Sequence, residues 1–328
     1  MPTTPPLDLL DRTPTDGADF ICRVSGLLQE VINYGLFVLK ECDRVVGQDS
    51  EPLEAKDEHG VILFGIYMHI IEMLDGLELL ISQRAITPAF LQLRSIFESL
   101  LYLEWILQKD TKERALAYLV EDIYDRIYLH RSFDLSTDEG KQLKKLYEKD
   151  IFMISSKKPL ESIPVNEDKI KDYINLLNKE PYNKINKQYL ALKEKTSQQI
   201  KKRKKYVPWY ALHGGGDSIK ILADTLYKPY TYWFLYKKCS AIIHGQNRLK
   251  NRFLKGGGAK PLRDPSEIDQ VSMFAIIFGS LAIKLLINYY NPKGIDFLSW
   301  YHKEIKSGYD WLIDGNIKVE YKLLNEIT

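Results

Sequence analysis

Two long apolar runs separated by four residues constrain this chain more than anything else in its sequence. Val61 to Arg84 is apolar at most positions (Val61, Ile62, Leu63, Phe64, Ile66, Ile70, Ile71, Leu74, Leu77, Leu80, Ile81), and Ala89 to Gln108 is just as apolar. Ala85-Ile86-Thr87-Pro88 stands between them, with Thr87 suited to an N-cap and Pro88 to a first helical turn. Helices of this length joined by so short a break must fold back antiparallel, so the spacing predicts a helical hairpin. Apolar residues also recur at helical spacing from Asp19 to Val46 (Phe20, Val24, Leu27, Leu28, Val31, Ile32, Leu39), and a further long helix is expected from Lys112 to about Phe133. Sustained period-two alternation is almost absent. The expected fold class is all-α, an antiparallel helical bundle around the hairpin.

The organisation follows from shifts in composition. Residues 1–18 hold four prolines and read as a flexible arm, and residues 19–133 read as the N-terminal half of the bundle. Across residues 134–205 lysine, asparagine and glutamate dominate, and Pro159, Pro164 and Pro181 punctuate the stretch. That region reads as a charged, mostly helical, surface-exposed insert ending in Lys201-Lys202-Arg203-Lys204-Lys205, a solvated helix end or an anion-binding run. Residues 206–291 form the C-terminal half. Residues 292–328 are an aromatic-rich tail of one or two short helices with room for a strand near Lys318 to Leu323.

Charge and cysteine usage narrow the functional classes. A net charge of +2 over 328 residues gives no global field for nucleic acid, so any such attraction must be local. Three cysteines without CxxC spacing argue against a disulfide framework or a cysteine zinc site. The N-terminus lacks the basic-then-apolar order of a signal peptide, and Glu72, Asp75 and Lys284 interrupt the longest apolar stretches. A cytoplasmic protein that does not enter membranes is the expectation, and an excess of long apolar helices points to a homodimer.

Chemistry concentrates in Tyr232 to Phe253, an aromatic apolar run that turns basic at His244. On a helix His244 shares a face with Ser240 and, further back, Tyr236 and Lys237. An imidazole near a hydroxyl and a cation suits general acid–base work, since it titrates near neutral pH. A helix C-cap closed by Gly245 is the structural alternative. The second candidate pair is Arg94 and Glu98, four apart on the second hairpin helix. Charge on so apolar a helix is costly unless paired, so the two form either a structural ion pair or a polar site in which Arg94 binds an anion and Glu98 orients a histidine. His69-x-x-Glu72 is half of a di-metal carboxylate motif without a second copy, and His213-Gly-Gly-Gly lacks the GxSxG of an esterase. No motif calls for a metal or a cofactor.

Arg94-Ser95-Ile96-Phe97-Glu98 and Ser240-Ala241-Ile242-Ile243-His244-Gly245 together resemble an uncharacterised bacterial all-helical family, a domain of unknown function with an Arg-Ser-x-x-Glu helix and a later Ser-x-x-x-His-Gly helix. Trp209, the Ser218-Ile219 helix start and the Tyr232 to Tyr236 aromatics fit the same pattern, over residues 60–130 and 205–250. That family is distantly similar to the higher-eukaryote-and-prokaryote nucleotide-binding (HEPN) helical fold, which includes toxin and antiviral ribonucleases. The resemblance implies metal-independent RNA cleavage, or RNA or nucleotide binding, in bacterial defence or a toxin system. His244 would act as general acid–base and Arg94 or Lys237 would stabilise phosphorane charge, with Glu98 orienting the histidine. Lys237, Ser240, Gln246, Asn247 and Arg248 would hold the substrate. Those ribonucleases carry an arginine shortly before the histidine. Lys237, Lys238 and Cys239 stand there in this chain, so a guanidinium would come from Arg94 or Arg248. The alternative function is a non-catalytic interaction or regulatory module, with structural polar residues and an insert that binds a protein partner.

Overall fold

The computed structural model describes residues 18–48, 58–152, 167–199, 207–244, 263 and 267–314. Among these every regular element is helical, so the fold is all-α. The chain divides into two compact units, one of residues 1–108 and 223–328, the other of residues 109–222.

The first unit is built on α1 (Ala18–Gln48), α2 (Glu58–Ser82) and α3 (Ile86–Gln108). The hairpin of α2 and α3 is present as the apolar runs predict. Its turn closes without glycine: Arg84 takes φ 59°, its N–H donates to Ile81 O (2.7 Å) and the Ala85 N–H to Leu80 O (2.7 Å). This is the paired 6→1 and 5→2 pattern that usually selects glycine at the left-handed position. The long helix Ile268–Tyr290 completes a ring of contacts, packing on α1, α2 and α3, while α1 packs on α2. It approaches closely at Gly279, where a Cβ would lie 2.7 Å from Val31 Cγ1 and 2.9 Å from Leu74 Cδ1. Asn291, at φ 45°, ends it with an N–H to Ile287 O (2.7 Å), the stop that Asn291-Pro292 predicts.

Two helices of this unit, spanning His59–Ser82 and Ile268–Tyr290, are long and apolar enough to cross a membrane. The interrupting charges noted in the sequence do not remove that property. In the structure both carry extensive buried faces against their neighbours, with Ile70, Leu74, Leu77, Ala275, Ile276 and Ile283 fully buried. The last helical segment, 297–314, is fastened to α1 by stacking of Trp300 on Tyr34 (3.9 Å between centroids) and by Trp300 Nε1–H donating to Glu30 (2.9 Å). The strand expected near Lys318 to Leu323 lies outside the described residues, as does the cationic run Lys201 to Lys205.

The second unit begins earlier and ends later than the shift in composition suggests. Its central helix is α4 (Thr111–Ser132), which composition alone places with the N-terminal half. The reason is packing: the apolar face of α4 is covered by Asp138–Tyr147, Glu167–Leu177, Tyr182–Gln199 and the 3-10 turn Trp209–His213. A buried carboxylate, Glu121, organises this unit. Its Oε2 accepts the Trp209 backbone N–H (3.3 Å), and its Oε1 lies 3.1 Å from the Tyr189 hydroxyl, which also reaches the Val207 carbonyl at 3.1 Å. Burial, reinforced by the Glu121 charge, pushes the Tyr189 phenol well above its usual range. Lys193 Nζ covers the Tyr189 ring at 4.4 Å and the Tyr124 ring at 4.9 Å.

Replacing Glu121 strands buried donors, so Glu121→Ala should lower unfolding free energy by about 2–4 kcal/mol in urea titrations. His213 provides a test by pH. Burial and then the Arg114 charge lower its pKa, against smaller opposing effects from Glu113 and Asp110. A depressed histidine favours the folded state while neutral, so its contribution is full above the unfolded value of about 6.5 and falls as pH drops below it. The urea midpoint should decline between pH 7 and 5, and His213→Gln should flatten that decline.

Candidate functional site

The site is built where the segment 229–243 lies along α3 in the first unit. Pro229 starts this segment, as the sequence predicts, and the turn before it is closed by Tyr227 at φ 57° with the Lys228 N–H donating to Ala223 O (2.7 Å). The middle of the segment, Tyr232–Tyr236, is a single π-helical turn in which the Lys237 N–H donates to Tyr232 O. Such widened turns are rare and are found frequently at functional sites. Here it accompanies the stacking of Tyr232 on Tyr236 at 4.8 Å.

Arg94, Glu98 and Tyr236 form the polar centre of the packing. Arg94 Nε donates to Glu98 Oε1 at 2.7 Å, and Nη2 donates to the Tyr236 hydroxyl at 2.6 Å. The guanidinium carbon also stands 4.4 Å from the Tyr236 ring centroid. Burial pushes the phenol up to about 12; the Glu98 charge and hydrogen bond add to this and Arg94 opposes it. Tyr236 is therefore a neutral donor near pH 7. The Arg94 pKa is raised: burial works against its charge, but Glu98 and Tyr236 outweigh it. Both side chains of the ion pair remain about one-quarter exposed.

Two more ion pairs tie the segment down. Lys228 Nζ reaches Glu104 at 2.6 Å, and Lys238 Nζ reaches Glu267 at 2.6 Å while lying 4.9 Å over the Phe90 ring. Residues 90, 94 and 104 of α3 meet residues 238, 236 and 228, so the segment runs antiparallel to α3. These long-range pairs have no local signature in the sequence. Another missed contact joins the hairpin helices, where His69 Nε2 lies 2.9 Å from Ser95 Oγ. That bond engages the imidazole of the half di-metal motif, and no cluster of three metal-ligating side chains exists among the described residues.

The sequence-predicted site is brought together in part. Arg94 and Glu98 meet, and they meet Tyr236. His244, the exposed residue that caps the C-terminus of the segment, donates its backbone N–H to Ser240 O (3.0 Å), and its ring makes no hydrogen bond among the described residues. It stands eight residues beyond Tyr236, about 12 Å along the helix axis, so Glu98 does not orient it. Lys237 is exposed and has no ion pair among the described residues, and Ser240 is half-buried. Gln246, Asn247 and Arg248 lie outside the described residues. Cys239 is buried, and burial pushes its thiol up to about 12, which leaves no thiolate nucleophile.

A family described as "Family of unknown function (DUF5677)" matches residues 60–260, more than half of the chain. This chain belongs to that family. The DUF5677 match runs from α2 through the second unit and past His244, so it holds both motifs and also the charged insert between them. No curated protein and no solved structure matches the chain.

Tyr236 is the keystone of this polar cluster. Tyr236→Phe removes a hydrogen bond to a charged group and should lower unfolding free energy by about 1–2 kcal/mol. Arg94→Met should cost less in the Tyr236→Phe background than alone, and a double-mutant cycle by urea denaturation measures that coupling.

Proposed function

We propose that this chain is an RNA-binding protein whose contact surface is the outward side of segment 229–243, with His244 and Lys237 facing the phosphates. One observation carries the reading: the local charge is unbalanced toward positive. Glu98, Glu104 and Glu267 are each matched by a cation, whereas Lys237 has no carboxylate partner among the described residues. The sequence from Lys237 to Arg263 contains eight lysines and arginines and no aspartate or glutamate. Neutralising phosphates releases counterions, so such a surplus binds a polyanion in a salt-dependent way even when the whole chain is nearly neutral.

The geometry supports binding more strongly than cleavage. Arg94 is held by Glu98 and Tyr236 rather than aimed at a ligand, and it acts as a positioning residue. His244 remains the general acid–base for the cleavage form of this reading, with Lys237, about two helical turns before it, holding a neighbouring phosphate. In this reading the two membrane-length helices are core helices and the protein works in the cytoplasm. Kinship with the HEPN fold, and with it a role in bacterial defence, rests on the two short motifs alone. The closed Arg94–Glu98–Tyr236 cluster favours one element of the non-catalytic alternative, namely that these polar side chains are structural.

The test is fluorescence anisotropy of a labelled structured RNA over a range of salt, with cleavage followed in chelator. Binding should weaken steeply with salt, Lys237→Ala should bind several-fold more weakly with a shallower slope, and His244→Ala should abolish any cleavage. Absence of binding at low salt would overturn the reading.

A further inference from the structure

Five aromatic residues lie within the eight positions from Tyr227 to Phe234, and three of them are exposed. Tyr227 is 89% exposed, Tyr230 66% and Trp233 60%. Large aromatic rings normally supply core area, so a run of them outside needs an occupant. Tyr230 and Trp233 are braced by neighbouring rings rather than free. Tyr230 stacks on Phe234 (5.7 Å between centroids, 7° between planes) and neighbours Trp233 at 6.3 Å, and Phe234 is braced on Phe274 at 6.2 Å, part of the core of the first unit. Tyr227 projects from the left-handed turn that starts the segment.

We propose that Tyr227, Tyr230 and Trp233 form a stacking ledge for the unpaired bases of single-stranded RNA, with Lys237 taking a phosphate beside it. This rests on the RNA-binding reading and narrows it from RNA in general to exposed single strands. Every base presents a π face, so an aromatic ledge binds single strands with little sequence preference, whereas a duplex keeps its bases stacked inside and offers only its backbone. Charge complementarity selects this occupant over a second copy of the chain. Lys237 follows Trp233 by one helical turn on the same exposed side and has no ion pair among the described residues. Of the nearby carboxylates, Glu104 and Glu267 are already paired with Lys228 and Lys238. A second copy would have to bury the exposed Lys237 without a carboxylate partner from its own surroundings. A polyanion gains from it.

The chain supplies its own reporter. Trp105, Trp209 and Trp300 are buried and Trp311 is partly so, which leaves Trp233 as the most exposed of five tryptophans. A 15-nucleotide oligouridine titrated into the full-length protein should quench tryptophan fluorescence, and a fully paired RNA hairpin of equal phosphate content should not. Trp233→Phe keeps a ring to stack on, so it should lose the quenching while holding affinity within about two-fold. Trp233→Ala should bind oligouridine about ten-fold more weakly with unchanged binding of the hairpin. Oligouridine binding as tight in Trp233→Ala as in wild type would overturn the ledge and leave the general RNA-binding reading standing. If wild type binds neither RNA, and Trp233→Ala converts a dimer to a monomer in light scattering, both readings fall and the face belongs to a second copy.

Discussion

The contact between the Arg94 guanidinium and the Tyr236 phenol holds the candidate site in register. A charge on a helix as apolar as α3 is tolerated only where its donors are used, and two of them are directed to Glu98 and Tyr236. The same guanidinium lies against the tyrosine ring, so one residue supplies a hydrogen bond, an ion pair and a face contact. The Lys228–Glu104 and Lys238–Glu267 pairs extend that match along the segment, and fix which side of it packs and which side stays in water.

Division of labour between the two sides of segment 229–243 follows from this. The side toward α3 uses up its charge internally. The side toward solvent keeps Lys237, His244 and the exposed aromatic rings available. A site built this way is rigid behind and open in front, the arrangement expected of a binding surface on a stable scaffold. The π-helical turn at Tyr232–Tyr236 sits at the boundary between the aromatic and the basic parts of the segment.

Local signals in the sequence carried the helices well and the site less well. The hairpin was legible because two long apolar runs with a four-residue break leave few other arrangements, and Asn291-Pro292 marked a helix end that does close at a left-handed asparagine. The Arg94–Glu98 pair was readable from its i, i+4 spacing on an apolar helix. Its third member was not, since Tyr236 lies 142 residues away and looks locally like one more core aromatic. The expected meeting of His244 with Arg94 and Glu98 did not account for the length of helix between residues 236 and 244. The placement of α4 was hidden for a related reason: its apolar residues resemble those of the hairpin, and only the packing partners at Glu167–Leu177, Tyr182–Gln199 and Trp209–His213 assign it to the second unit.

The proposed RNA surface is the outward side of segment 229–243, and its inward side is structural. Photo-crosslinking with 4-thiouridine-substituted single-stranded RNA, followed by mass spectrometry of the adducts, tests that most directly. Adducts are expected on the peptide that contains Tyr230 and Trp233. Adducts confined to the second unit, or none above a no-light control, would contradict it.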